Sequence, residues 1–131
     1  MKCYIAGPMS GLPQSNFPAF DAAAAALRDR GYEVVSPAEL DNAHDRAIAL
    51  ADLPPTKTWG DFLARDVKLI ADGGIECIVL LPDWYKSRGA RLEAFIGLLG
   101  KLKFALYTAS GSLVPANPDF VMHWLQVSYH A

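Results

Sequence analysis

Short apolar runs alternate with longer amphipathic stretches along most of the chain. Lys2–Ala6 is apolar through Cys3, Tyr4 and Ile5 and stops at Gly7-Pro8, which predicts a buried strand. Phe17–Arg30 carries an alanine run at 22–26, the strongest intrinsic helix former, and Gly31 stands where a helix C-terminal cap belongs. Glu33–Ser36 predicts a second strand, halted by Pro37. Asp41–Ala51 fits a short helix, after which Leu53-Pro54-Pro55 breaks the chain into a loop. Trp59–Asp72 predicts a helix, Glu76–Leu81 a strand ended by Pro82, Ser87–Gly100 a helix, and Lys103–Tyr107 another strand. Thr108–Pro118 is rich in Ser, Gly and Pro and reads as a loop, whereas Asp119–Val127 fits either a helix or a strand.

Strands that alternate with helices form βαβ units with right-handed crossovers. The expected fold is therefore α/β: one domain over residues 1–131, with a flavodoxin-like, doubly wound parallel sheet of four or five strands. With the first strand central and the second and third on either side, the topological switch point lies between the carboxyl ends of strands one and three. Gly7–Gly11 and Pro82–Glu93 fall there, and ligand chemistry belongs in those two loops.

Composition narrows the picture. With 12 Lys+Arg against 14 Asp+Glu the net charge is −2, which offers no footprint for duplex nucleic acid or an anionic membrane. No apolar stretch approaches the roughly 20 residues of a spanning helix, and glycine and proline come too early for a signal peptide. Two cysteines, Cys3 and Cys77, are too few for a disulfide framework and fit a reducing, cytoplasmic setting. His44, His123 and His130 have no metal-ligand spacing with them, so neither a metal nor another cofactor is expected.

On a helical projection of 59–72, Trp59, Phe62, Leu63, Val67, Leu69 and Ile70 form one apolar stripe, with Asp66 in its middle. A carboxylate there must find donors or take up a proton. Two readings stand open: an Asp bonded to backbone or a nearby Arg, or an acid facing a crevice. Arg65 and Lys68 lie off the stripe and read as solvated charges. In the loop after strand three, Ser87 suits a helix N-cap, Gly89 admits a ligand to the backbone, and Arg88 and Arg91 add charge, which together make an anion site. Glu93 sits off the stripe of Leu92, Phe95, Ile96 and Leu99, at the helix edge near the switch point. The loop Gly7-Pro8-Met9-Ser10-Gly11 has neither a dinucleotide nor a Walker pattern. Trp59, Trp84 and Tyr85 could stack on a flat base or fill the core. Tyr4 is either a core aromatic or the holder of a catalytic carboxylate.

Tyr4-Ile5-Ala6-Gly7-Pro8-Met9-Ser10-Gly11, Asp66 and Ser87-Arg88-Gly89-Ala90-Arg91-Leu92-Glu93 together resemble the nucleoside 2-deoxyribosyltransferase-like superfamily. The likeness covers about residues 1–107 and is nearest to the small phage- or prophage-type members carried as a domain of unknown function. It implies an oligomer, dimeric or larger, that cleaves N-glycosidic bonds of nucleosides or nucleotides. By the same resemblance Glu93 is the nucleophile at C1′, Asp66 assists the leaving base, and Tyr4 orients the nucleophile. Ser87 stands where transferases carry Asp for a free 5′-hydroxyl and nucleotide hydrolases carry Ser for a 5′-phosphate; Pro8 replaces a Ser often found in those hydrolases. The expected activity is hydrolysis of (deoxy)nucleoside 5′-monophosphates. The alternatives are a transferase acting on free nucleosides and a nucleotide-binding module without turnover.

Overall fold

The structure is a computed structural model that describes residues 1–130. Five strands form one sheet in the order β2-β1-β3-β4-β5, where β1 is Lys2–Ala6, β2 Glu33–Val35, β3 Cys77–Leu80, β4 Lys103–Tyr107 and β5 Leu113–Ala116. The first four strands are parallel, as expected for a flavodoxin-like order with β1 between β2 and β3. The fifth corrects the expectation of an all-parallel sheet and of a loop over 108–118: β5 runs antiparallel to β4, with Ala105 opposite Pro115. Gly111, at φ +84°, turns the chain between them. Pro115 is tolerated because an edge strand has one side free of ladder bonds. Proline and a Ser/Gly-rich turn hid that strand from the hydrophobic pattern.

Alternation along β1 distributes the core between two faces. Cys3 and Ile5 pack with Phe17, Phe20, Ala23, Ala24 and Leu27, the buried stripe of α1 (Phe17–Asp29). Short helices α2 (Pro37–Leu40) and α3 (Ala43–Leu50) flank the same face. Tyr4 and Ala6 point to the other face, against α4 (Trp59–Asp72), α5 (Arg88–Leu99) and α6 (Pro118–His130). The segment Asp119–Val127, which fitted helix or strand, is thus helical. None of the described helices is long and apolar enough to cross a membrane.

Capping explains the helix ends near the cavity described below. Thr58 and Asp61 form a reciprocal capping box at the start of α4. The Ser87 side chain accepts from the Ala90 amide at 3.2 Å at the start of α5, as the sequence suggested. Cys3 and Cys77 are free thiols in register on adjacent strands.

At the switch point Gly7 leaves β1 against Leu81, and a Cβ on Gly7 would lie 2.8 Å from the Leu81 Cβ. Gly7→Ala is expected to cost ~1–3 kcal/mol through overpacking, read as a lower urea midpoint with an unchanged slope. An unchanged midpoint would refute this account of Gly7.

Candidate active site

A cavity of about 330 Å³ opens at the carboxyl end of the sheet, within the size range of small-molecule sites. Gly7, Met9, Ser10 and Gly11 line it from the loop after β1, and Ser87, Gly89 and Glu93 from the start of α5. Asp66, Trp59, Phe62, Leu63 and Arg65 line it from α4. The remaining wall includes Asp41, Asp45, Ile48, Leu53 and Thr56 from the segment 41–58, which the hydrophobic pattern left least defined.

Asp66 and Glu93 meet at its floor, and Tyr4, which does not line the cavity, reaches Glu93 from behind it. The Tyr4 hydroxyl, fully buried on β1, donates to Glu93 Oε2 of α5 at 2.5 Å. Asp66 of α4, also buried, takes part in the same cluster and acts directly on Glu93. The burial of Glu93 corrects its expected place at a helix edge: it faces the sheet and lies beyond the first turn of α5. Its titration is therefore governed by burial, Asp66 and Tyr4 rather than by the helix terminus, whose effect fades within one turn.

Burial, with the Asp66 charge beside it, pushes the Glu93 carboxyl well above the usual glutamate range. Asp66 is also raised by burial, but the neighbouring Arg65 restrains it. Burial and the Glu93 charge hold the Tyr4 phenol well above its ordinary value, so it stays a donor. The physical result is a pair of neighbouring buried carboxyls whose affinity for protons is raised.

Arg65 was read as a solvated charge, and the structure corrects this. Its Nε donates to Asp66 Oδ1 at 2.9 Å and its Nη1 to Asp41 Oδ1 at 2.7 Å. Asp66 thus combines both readings left open by its position: it is bonded to an Arg and it faces the cavity. Asp41 is 24 residues from Arg65 in sequence, and no local pattern signals the pairing. An Arg directly before a stripe-centred Asp was the one available hint.

Other expected ligand contacts divide. Trp59 lines the cavity with the Arg88 guanidinium 4.1 Å over its ring centroid, and Arg88 itself is not among the lining residues. Trp84 is corrected from a ligand contact to a core residue: Asp83 adopts φ +64°, and the turn that follows buries the indole with Tyr4 and Ala6. Tyr85 stacks on Trp124 at 4.4 Å. Pro8 does not line the cavity; its carbonyl accepts from Asn16 Nδ2 at 2.9 Å. Among the described residues no group of His, Cys, Asp or Glu could hold a metal ion.

A raised carboxyl pKa stabilises the fold below the ordinary glutamate range, and that contribution is lost as pH climbs through the raised value. Glu93→Gln keeps the acceptor for Tyr4 and removes the titration. It should raise stability at pH 7, read as a Tm above that of the wild type, and match the wild type near pH 4. A Tm at pH 7 below that of the wild type would contradict the raised Glu93 carboxyl.

Among curated proteins, none matches this chain. Residues 1–104, which include β1, α4, α5 and the cluster of Tyr4, Asp66 and Glu93, match the family described as domain of unknown function DUF4406, and the chain belongs to that family.

Proposed function

We propose that the protein is an N-glycosidase that hydrolyses the base–sugar bond of (deoxy)nucleoside 5′-monophosphates, with Glu93 as nucleophile. The reading follows the nucleoside 2-deoxyribosyltransferase-like superfamily that its motifs resemble. One observation carries it: two buried carboxyls, Asp66 and Glu93, line a cavity of nucleoside size, with the Tyr4 hydroxyl bonded to Glu93 from behind. Groups with raised proton affinity in a cleft are what acid and nucleophilic chemistry needs.

In the reactive state Glu93 is the carboxylate and Asp66 holds the proton. A Glu93 carboxylate oxygen then bonds to C1′ as the C1′–N bond breaks. The bond's electron pair leaves with the base, whose nitrogen takes the proton from Asp66. Asp66, now a carboxylate, accepts a proton from water as the water oxygen attacks C1′. Glu93 departs as the carboxylate, and the sugar phosphate is released. The Tyr4 hydrogen bond orients Glu93 throughout.

At the other end of the substrate, the Arg88 and Gly89 amides are the first two of α5 and have no acceptor within the helix. Ser87 Oγ accepts from Ala90, which leaves its own hydroxyl proton free for a phosphate oxygen. A second reading, transfer between free nucleosides, is favoured by the wall's charge: Asp41, Asp45, Asp66 and Glu93 line the cavity against the one cation Arg65. The chain works as a homodimer or larger homo-oligomer, which the exposed Phe95, Leu99, Phe120, Met122 and Val127 of α5 and α6 support. The free thiols suit a cytoplasmic setting.

The test is incubation with a panel of nucleosides and monophosphates, with and without an acceptor base, following free base. Release from monophosphates without an acceptor is the expected result. Release only with an acceptor means transfer, and none from any substrate leaves a nucleotide-binding module. Ser87→Asp removes a donor worth roughly 1.5–3 kcal/mol to a charged group and adds repulsion. Monophosphate kcat/KM should drop well over tenfold while nucleoside kcat/KM falls little, since tenfold needs about 1.4 kcal/mol. A wild-type ratio near one that the substitution leaves unchanged would make Ser87 a helix cap only. Asp66→Asn should cost most turnover on poor leaving groups, which depend on protonation. An equal loss across leaving groups would make Asp66 a positioning or structural residue.

A further inference from the structure

Adjacent residues on a helix project about 100° apart and do not normally face each other. Arg65 nevertheless folds back on Asp66 with Nε–Oδ1 at 2.9 Å, while its far nitrogen Nη1 is anchored 2.7 Å from Asp41 Oδ1. Its guanidinium also lies over the Phe62 ring, 5.4 Å from the centroid. Asp41 and Asp66 keep 7% and 10% of their side-chain surfaces exposed, so this contact is shielded from water and salt. Only a planar fork can hold two carboxylates in fixed directions at once; an ammonium cannot.

Resting on the N-glycosidase reading, we propose that Arg65 is a positioning residue: pinned by Asp41, it fixes the Asp66 carboxyl in the orientation that meets the leaving base. Asp66 is faced by Tyr4 from β1, Glu93 from α5, Arg65 from its own helix and, through Arg65, Asp41 from the segment after α2. Arg65 is the only cation in that set. Burial raises Asp66, and the Arg65 charge and hydrogen bond work against it. Burial disfavours the Arg65 charge as well, but the bonds to Asp41 and Asp66 outweigh it, so the fork remains charged. Without Arg65 the carboxyl pair binds its protons more tightly. The pH range in which one proton is shared then moves upward as a whole.

The experiment compares wild type, Arg65→Met and Arg65→Lys in base release against pH, on whichever nucleoside or monophosphate of the panel the wild type cleaves. Alongside it runs an NMR titration of 13C-carboxyl aspartate, with Asp66 assigned through Asp66→Asn and thermal unfolding measured at each pH. Arg65→Met should lower kcat at pH 7 more than tenfold and move both limbs of the kcat/KM profile to higher pH by about one unit or more. Arg65→Lys should restore the profile but only part of kcat, since it returns the charge without the fork. A folded Arg65→Met with the wild-type profile and kcat overturns the proposal. If Arg65→Met does not fold, Asp41→Asn takes its place: it frees the far end of the fork and should lower kcat with a smaller shift in profile. A wild-type kcat in a folded Asp41→Asn overturns the proposal. If the wild type cleaves nothing, the functional reading falls, and the NMR titration alone decides Arg65. Asp66 titrating higher in Arg65→Met, or displaced from its wild-type titration in Asp41→Asn should the former not fold, then supports the clamp, and an unmoved titration overturns it.

Discussion

Placing two carboxyls side by side away from water is the costliest demand this fold makes on itself. Each charge loses its hydration, and each repels the other. Only a proton and donors supplied by the protein make the arrangement tolerable. Tyr4 gives Glu93 a donor at 2.5 Å from the middle of the core, and Arg65 gives Asp66 a cation braced on Asp41. Burial raises the proton affinity of both carboxyls, which is what the proposed chemistry needs. Glu93 cannot be trimmed to Ala without leaving the buried Tyr4 hydroxyl unsatisfied, so the residue has a structural role beside its proposed chemical one.

Topology decides where this cluster can form. Placing β1 between β2 and β3 sends the chain out to opposite sides of the sheet, and a crevice opens where the directions part. Tyr4 reaches the α4–α5 side because alternation along β1 turns it there, while Cys3 and Ile5 turn toward α1. The close passage of Gly7 over Leu81 keeps the crevice floor tight. Segment 41–58 then closes the side that the sheet leaves open. Its α3 has no fully buried residue; Ala49 and Leu50 pack partly exposed on the core, and Arg46 ties the helix to the Ala38 carbonyl at 2.7 Å.

The legibility of the sequence followed the range of the forces involved. Helices α1, α4 and α5 and strands β1 and β4 were readable to within a residue or two because short-range periodicity, caps and glycine set them. The same logic pointed to the crevice and marked Asp66, Glu93 and Ser87 as candidates, while Tyr4 stood between two readings and only the family resemblance joined the four. It failed where long-range contacts decide. Trp84 and Arg65 were misplaced because a left-handed Asp83 and a distant Asp41 redirect their side chains. Strand β5 was missed because pairing with β4 overrode the low strand propensity of Leu113–Ala116. The burial of Glu93 escaped for a related reason: on α5 it lies apart from the apolar residues Leu92, Phe95, Ile96 and Leu99, and faces the sheet because Tyr4 is there to receive it.

The central claim is that Glu93 forms a bond to the sugar. Mass spectrometry of the acid-quenched protein, mixed briefly with a 2-deoxynucleoside 5′-monophosphate and digested, tests it most directly. The account predicts a 2-deoxyribose phosphate adduct on the peptide that contains Glu93, absent in Glu93→Gln together with base release. Base release at the wild-type rate in Glu93→Gln, or an adduct on any other residue, would contradict it.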